Sequence, residues 1–126
     1  MKILVAEDEP MLLKTIELKL RKEGYEVIAT ADGREAIAKL TESEPDMVIT
    51  DIMMPYASGL EIVSIVRQKI KRKIPIIMLS AMEQEKVVME AFELGADDYI
   101  TKPFSLNELA IRVKKLMMQA QRNNIG

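Results

Sequence analysis

Met47-Val48-Ile49-Thr50-Asp51-Ile52-Met53-Met54-Pro55 is the stretch that decides the fold. An apolar run here ends in the carboxylate of Asp51, and Pro55 soon stops any regular structure. Runs of this kind are typical of strands that are buried on both faces of a parallel sheet. Asp51 would then lie at the carboxyl edge of the sheet, where open α/β folds bind their ligands.

Four further strands are predicted on both sides of this stretch. They are Ile3–Ala6, Tyr25–Ala29, Pro75–Leu79 and Asp98–Thr101. Apolar residues at helical spacing predict five intervening helices, the fourth near Glu83–Leu94 and the last after a capping box at Ser105–Glu108. This alternation predicts an α/β protein with a flavodoxin-like (βα)5 doubly wound parallel sheet in the order 2-1-3-4-5. The weaker alternation of the second strand places it at an edge.

Composition limits the chemistry that this chain can perform. It has 126 residues, of which 48% are hydrophobic, and a net charge of −2, with no Cys and no His. That excludes thiolate and imidazole metal ligands and Ser-His catalysis, and it gives no general attraction to nucleic acid or membranes. No apolar run is long enough to span a bilayer, so we expect a cytoplasmic protein. We expect one domain at 1–121, followed by a C-terminal tail or the start of a linker at 122–126.

A basic run closes the third predicted helix. Its members are Arg67, Lys69, Lys71, Arg72 and Lys73. Positive charge is favourable at a helix C-terminus, and we interpret the run as a solvated face of this kind. The alternative is a nucleic-acid patch, which the slightly acidic composition disfavours.

Polar residues end four of the five predicted strands, and together they define one candidate site. Glu7 and Asp8 follow the first strand, Asp51 ends the third, Ser80 follows the fourth and Lys102 follows the fifth. Because parallel strands have their carboxyl ends at one edge, we expect these side chains to lie close together. In the order 2-1-3-4-5, Asp8 and Asp51 flank the crevice at the switch point.

Three neighbouring carboxylates repel one another and favour a bound cation. Two like charges about 4 Å apart cost on the order of 4 kcal/mol at an effective dielectric near 20. Oxygen ligands without His or Cys select Mg²⁺, or alternatively Mn²⁺. Glu9 is better explained as an acidic residue near a helix N-terminus.

A cation beside a carboxylate, a hydroxyl and a lysine suits phosphoryl transfer. Asp51 would be the nucleophile, and Mg²⁺, Lys102 and either Ser80 or a backbone N–H would each meet one phosphoryl oxygen. An FMN or nucleotide binder on the same fold is disfavoured, because no glycine-rich phosphate loop follows the first strand.

The chain closely resembles the receiver domains of two-component response regulators. The motifs that carry this resemblance are Glu7-Asp8, Asp51 with Met54-Pro55, Ser80-Ala81, Gly95–Tyr99 and Lys102-Pro103-Phe104. They extend over residues 1 to about 121, in order and in place.

The resemblance implies a phosphoprotein that receives a phosphoryl group from a sensor histidine kinase on Asp51. Glu7, Asp8, Asp51 and the Met53 backbone carbonyl would hold Mg²⁺, and Ser80 and Lys102 would contact the phosphoryl oxygens. Ser80 and Tyr99 would form the conformational switch, and the Lys102–Pro103 peptide bond is expected to be cis. Such a domain is a stoichiometric phosphoacceptor that assists its own phosphorylation and dephosphorylation, and not a turnover enzyme.

The segment Gly95–Arg112 looks most like the winged-helix transcription-factor branch, the OmpR/PhoB type. That branch implies a phosphorylation-dependent homodimer through the face of helix 4, strand 5 and helix 5. The matching charged residues are Asp97, Asp98, Glu108, Arg112 and Lys114. Helix 4 departs from the pattern, because Val87-Val88 replaces a basic residue there, and either valine could substitute for the missing ion pair.

The output of this domain is open at the level of sequence. Transcription regulation would need a DNA-binding domain that this chain lacks, so any contact with DNA would be made through that absent domain. The alternatives are a stand-alone receiver and a receiver-like interaction module that does not use phosphate. No membrane partner is expected.

Overall fold

The computed structural model describes residues 1–81 and 84–125 of the chain. The strands are β1 (Lys2–Ala6), β2 (Glu26–Thr30), β3 (Met47–Asp51), β4 (Ile76–Ser80) and β5 (Asp98–Thr101). The helices are α1 (Pro10–Lys22), α2 (Gly33–Ser43), α3 (Gly59–Ser64), α4 (Glu85–Leu94) and α5 (Leu106–Ile125). The predicted start of α4 at Glu83 lies outside the described residues.

All five strands pair in parallel in the order β2-β1-β3-β4-β5, which confirms the predicted topology. β3 is central, with Ile49 opposite Val5 of β1 and Ile77 of β4. Its five residues are all buried, as expected for a strand covered on both faces. β2 is an edge strand, as its weaker alternation predicts.

Two helical layers cover the sheet and divide its apolar side chains. Ile49 faces the layer formed by α1 and α5, where it packs with Ile16 and Leu109. Its neighbour Val48 points to the opposite side and packs in the cluster of α2, α3 and α4. Side chains of successive strand residues point to opposite faces, so one short strand contributes to both halves of the core.

Polar side chains cap the starts of α2, α3 and α5. Asp32 accepts a hydrogen bond from the Glu35 N–H at the start of α2. Ser58 and Ser105 do the same for α3 and α5, which is the hydroxyl half of each predicted capping box. These caps fix the points at which the chain leaves the carboxyl edge of the sheet and re-enters a helix.

The end of the third helix differs from its prediction. α3 continues as a π-helical segment, Ile65–Ile70, and Lys71 then adopts φ +59°. The solvated-face interpretation holds for the lysines of the basic run, which are exposed, but it is wrong for Arg67 and Arg72. Both guanidinium groups donate to backbone carbonyls of neighbouring segments.

The C-terminal segment is more regular than expected. α5 runs through residue 125 without a break, so residues 122–125 are helical where a tail or linker was predicted. The domain boundary at 121 stays a prediction.

Candidate functional site

The candidate site lies at the carboxyl edge of the three central strands and β5. Glu7 follows β1, Asp51 is the last residue of β3, and Lys102 follows β5. The Lys102 N–H donates to the Ser80 carbonyl at 2.8 Å, which places the end of β5 against the end of β4. The peptide bond between Lys102 and Pro103 is cis, as predicted.

Lys102 joins the two buried carboxylates of the site. Its Nζ donates to Glu7 Oε1 at 2.6 Å and to Asp51 Oδ2 at 2.8 Å. Glu7 is fully buried and Asp51 is only 7% exposed, whereas Asp8 is exposed at the rim. The lysine thus links β1, β3 and β5 through a single ammonium group.

The second oxygen of each buried carboxylate is bound by a backbone amide. Asp51 Oδ1 accepts from the Ile52 N–H at 2.7 Å, and Glu7 Oε2 accepts from the Glu9 N–H at 3.0 Å. Glu9 therefore contributes its backbone to the site, in addition to its place at the start of α1. These bonds orient both carboxylates toward the space between them.

Burial and charge act in opposite directions on the ionisation of this cluster. Burial raises the pKa of the Glu7 carboxyl above its usual range, although the hydrogen bond from Lys102 opposes this effect. Burial also disfavours the charge of Lys102, but the hydrogen bonds to Asp51 and Glu7 outweigh it and raise the pKa of the lysine. The ammonium group is therefore held in its charged form.

The donor set fits a hard divalent cation. Glu7, Asp8 and Asp51 each offer one carboxylate oxygen, and these oxygens lie within 4.8 Å of one another. One lysine does not neutralise three ionised carboxylates, so negative charge remains at this edge. Oxygen-only donors with residual negative charge are typical of Mg²⁺ sites in which water completes the coordination shell.

Ser80 lies on β4 at the same sheet edge as this cluster, and Tyr99 lies within β5. Ser80 ends β4, is almost fully buried and pairs in register with Thr101. Tyr99 is partly buried against the core layer of α2, α3 and α4, opposite Met78 of β4. The Met53 side chain is 64% exposed in the loop after β3.

Gly59 is a residue of the site that sequence reasoning missed. A Cβ at this position would lie 2.1 Å from the Asp51 carbonyl oxygen, a distance that no side chain tolerates. Gly59 N–H also donates to the Ile52 carbonyl at 2.9 Å. The signal in the sequence is a glycine at the start of α3, in the first helical position after Asp51, where only glycine permits such close approach.

Four of the five charged residues predicted for the dimer face have partners within the chain. Asp97 Oδ2 accepts from Arg67 Nη2 at 2.9 Å and from the Ile76 N–H at 2.8 Å. Arg112 donates to Asp98 at 2.8 Å and to Glu108 at 3.0 Å. Lys114 is exposed.

The outer surface of α4 presents other apolar residues than those predicted. Val87 and Val88 are both half-buried, and Val87 packs against the core. Met89 and Phe92 are instead the exposed apolar side chains of this helix, at 50% and 41%. An apolar contact through α4 would therefore use Met89 and Phe92 more readily than the two valines.

The fold and site together define a doubly wound α/β domain with an acidic pocket at its switch point. The family model of the response regulator receiver domain matches residues 3–114. The chain therefore belongs to the response regulator receiver domain family, and thus to two-component systems. Membership of the OmpR/PhoB branch stays a prediction.

Solved structures of other receivers are similar over nearly the whole chain. The receiver domain of the Francisella response regulator 1452 is 35% identical, with a TM-score of 0.88 and coverage of 94% of this chain and 98% of that one. Thermotoga maritima TrrA, solved in complex with Mg²⁺-BeF, is 38% identical, with a TM-score of 0.81 and coverage of 91% and 97%. Vibrio cholerae chemotaxis protein CheY4 is 33% identical, with a TM-score of 0.85 and the same coverage.

The helices of residues 1–81 and 84–125 include none with the length and apolar character of a membrane span.

Proposed function

We propose that this domain accepts a phosphoryl group on Asp51 from the phosphohistidine of a sensor histidine kinase. The observation that carries the proposal is the bridge from Lys102 to both Glu7 and Asp51. It places the ammonium group of Lys102 and the carboxylate of Glu7 beside Asp51. Asp51 is buried enough to be oriented, and it lies at the edge of the sheet where a donor can approach.

In the proposed reaction an Asp51 carboxylate oxygen attacks the phosphorus atom of the donor. An O–P bond forms, the N–P bond of the phosphohistidine breaks, and its electron pair stays on the imidazole nitrogen, which takes up a proton. Lys102 offsets charge on one phosphoryl oxygen and the Ser80 hydroxyl donates to another. The domain is modified stoichiometrically and then returns to its first state by hydrolysis.

Glu7, Asp8, Asp51 and the Met53 carbonyl would hold Mg²⁺, which supplies positive charge to the carboxylates and the phosphoryl oxygens. The clustered oxygens of the three side chains support this assignment. So does the relative from Thermotoga maritima, which was solved with Mg²⁺-BeF. Mn²⁺ prefers the same oxygen donors and would substitute.

The consequence of phosphorylation would be a change at the face formed by α4, β5 and α5. Ser80 would move toward the phosphoryl group, and the Tyr99 ring would turn inward behind it. Asp98 and Arg112 would then exchange partners between two copies of the chain, producing a homodimer. A DNA-binding domain joined to that dimer would give transcription regulation as the output.

One observation favours a second candidate, a receiver that acts alone. Asp97 and Asp98 are already paired with Arg67 and Arg112 of the same chain, so the face does not need a second copy to satisfy its charges. Exposed ion pairs contribute only about 0–1 kcal/mol each, so exchanging them gives little net affinity. A stand-alone receiver, or a receiver-like module that does not use phosphate, would present the same face to another protein.

The test uses acetyl phosphate with Mg²⁺, followed by intact mass and by light scattering. We expect one added phosphoryl group on the wild type and on Asp46→Ala, a control at the opposite end of β3, and none on Asp51→Ala. A dimer that appears with the phosphoryl group supports the transcription-factor branch. Phosphorylation of a persistent monomer supports the stand-alone receiver, and an unmodified wild type that binds Mg²⁺ refutes phosphoacceptance.

A further inference from the structure

A strained turn lies in the loop that follows Asp51. Tyr56 has φ +73°, a value that residues other than glycine rarely adopt. The Ala57 N–H donates to the Pro55 carbonyl at 2.9 Å across it. A bond between residues two apart at positive φ describes the rarer and more strained form of γ-turn. Such strain persists only where the surrounding structure holds it.

Arg34, from the first turn of α2, supplies one of the contacts that hold this turn. Its guanidinium carbon lies 4.0 Å from the centre of the Tyr56 ring, which is a cation–π contact. Tyr56 is 70% exposed, so no core packing fixes the ring. The stack on Arg34 is therefore a ring contact that can hold Tyr56 in its strained backbone conformation.

The residue before Arg34 contacts the same turn through the backbone. Gly33 N–H donates to the Pro55 carbonyl at 3.2 Å, so this carbonyl accepts hydrogen bonds from both Gly33 and Ala57. A Cβ at Gly33 would lie 2.0 Å from the Ala57 carbonyl oxygen. Two successive residues of α2 thus contact the turn, one by close backbone approach and one by its side chain.

The loop held in this way begins at the candidate phosphoacceptor and returns to it. Ile52 N–H orients Asp51 Oδ1 at 2.7 Å, and the Ile52 carbonyl accepts from Gly59 N–H at 2.9 Å. Gly59 in turn lies against the Asp51 carbonyl. A displacement of the turn at Tyr56 therefore reaches the amide that orients the Asp51 carboxylate.

We propose that Arg34 is a positioning residue for the acidic site: stacked on Tyr56, it holds the strained turn and with it the backbone around Asp51. This inference rests on the proposed Mg²⁺-dependent phosphorylation for its functional consequence. The consequence is that loss of the stack lowers cation affinity and slows phosphorylation, although Arg34 contacts neither the cation nor the phosphoryl group.

The test compares four variants of the whole chain with the wild type. Arg34→Ala removes the stack, and Lys39→Ala removes the same charge from the same helix, where Lys39 pairs with Glu42. Tyr56→Gly lets the turn adopt positive φ without strain. The double variant Arg34→Ala/Tyr56→Gly completes a double-mutant cycle, which measures the coupling between the two residues. The readouts are exchange of the Ala57 amide by NMR and the dissociation constant of Mg²⁺ alone by calorimetry.

We expect Arg34→Ala to speed Ala57 amide exchange and to weaken Mg²⁺ binding by roughly two- to five-fold each, the size of one exposed cation–π contact. Lys39→Ala should change neither, and Arg34→Ala should have no effect in the Tyr56→Gly background. Equal effects of Arg34→Ala and Lys39→Ala would overturn the inference, since the cause would then be charge alone. An Arg34→Ala effect that persists with Tyr56→Gly would also overturn it.

The two proposals fail in different ways. If the wild type accepts no phosphoryl group, phosphoacceptance fails, while the amide-exchange cycle still decides whether Arg34 holds the turn. If the wild type is phosphorylated and the cycle shows no coupling between Arg34 and Tyr56, only the positioning role fails.

Discussion

Two carboxylates of this domain, Asp51 and Asp97, each bind one basic side chain at nearly the same distance. Asp51 meets Lys102 at 2.8 Å, and Asp97 meets Arg67 at 2.9 Å. Their surroundings differ. Arg67 also donates to three backbone carbonyls, and Asp97 also accepts a backbone amide, so both groups have several partners. Lys102 instead serves two buried carboxylates, with a third at the rim.

The difference separates an ion pair whose charges are balanced from a cluster that keeps excess negative charge. Around Arg67, donors and acceptors are matched and the charges balance. Around Lys102, the ionised carboxylates carry more negative charge than the lysine neutralises, and a bound divalent cation or a proton on Glu7 would reduce the excess. Hydrogen-bond satisfaction and charge balance, taken together, distinguish the two clusters better than distance does.

The largest effect expected from this contrast is on stability. Arg67→Ala leaves three carbonyls and Asp97 without their shared donor, and we expect it to lower the free energy of unfolding by about 2–3 kcal/mol, since hydrogen bonds to charged groups are the strong ones. Urea denaturation measures this loss. The matched control Lys69→Ala removes an exposed cation two residues away and should stay within about 0.5 kcal/mol of the wild type. Equal losses in both would show that Arg67 is as dispensable as a surface lysine.

A smaller and opposite effect is expected at the other cluster. Lys102→Met removes the ammonium group that competes with Mg²⁺ for Glu7 and Asp51, so Mg²⁺ should bind about five-fold more tightly or more. About five-fold corresponds to the repulsion of about 1 kcal/mol between two unit charges about 4 Å apart in water. Phosphorylation by acetyl phosphate should nevertheless be slower, because the phosphoryl oxygens lose the ammonium group. Calorimetry and mass spectrometry measure the two quantities. Weaker Mg²⁺ binding in Lys102→Met would contradict the competition.

The smallest expected effect is a pH dependence that originates at Glu7. Because burial raises the pKa of Glu7, the folded domain keeps a proton there at pH values where an ordinary glutamate is ionised. Mg²⁺ affinity should therefore fall as pH decreases through that raised pKa, earlier than for an exposed glutamate. Without metal the sign reverses: the folded state binds more protons, so the free energy of unfolding decreases as pH rises through the same window.

Glu7→Gln is the variant that tests this origin. It should remove both pH dependences in that window while the chain stays folded, and Mg²⁺ titration and urea denaturation at several pH values measure them. A pH profile of Glu7→Gln that matches the wild type would assign the titration to another group.

The sequence predicts those features that depend on local pattern. The apolar runs before Asp51 and Ser80 indicate buried strands, and the rule that parallel strands end at one edge brings their final residues together. The alternation of strands and helices predicts a doubly wound parallel sheet, and the order 2-1-3-4-5 follows from choosing the flavodoxin-like form of that fold. These predictions succeed because each depends on residues that are neighbours in the chain or on a general property of parallel sheets.

The features that the sequence does not predict depend on side chains that reach distant segments. Arg67 lies in a basic run typical of a helix C-terminus, and its bond to Asp97 joins the π-helical segment to the residue just before β5, 30 residues further along the chain. The π-helical turn that carries it has no signature in the residue pattern. Likewise, Glu9 contributes its amide rather than its carboxylate, which side-chain chemistry does not reveal.

The contact between Lys102 and Glu7 spans 95 residues of chain. Glu7 is synthesised before Lys102, which follows β5 at one edge of the sheet. A nascent chain that lacks β5 has the acceptor carboxylate without its lysine. If Asp51 accepts a phosphoryl group as proposed, its site is complete only when β5 has joined the sheet, and a partly folded domain would not be phosphorylated.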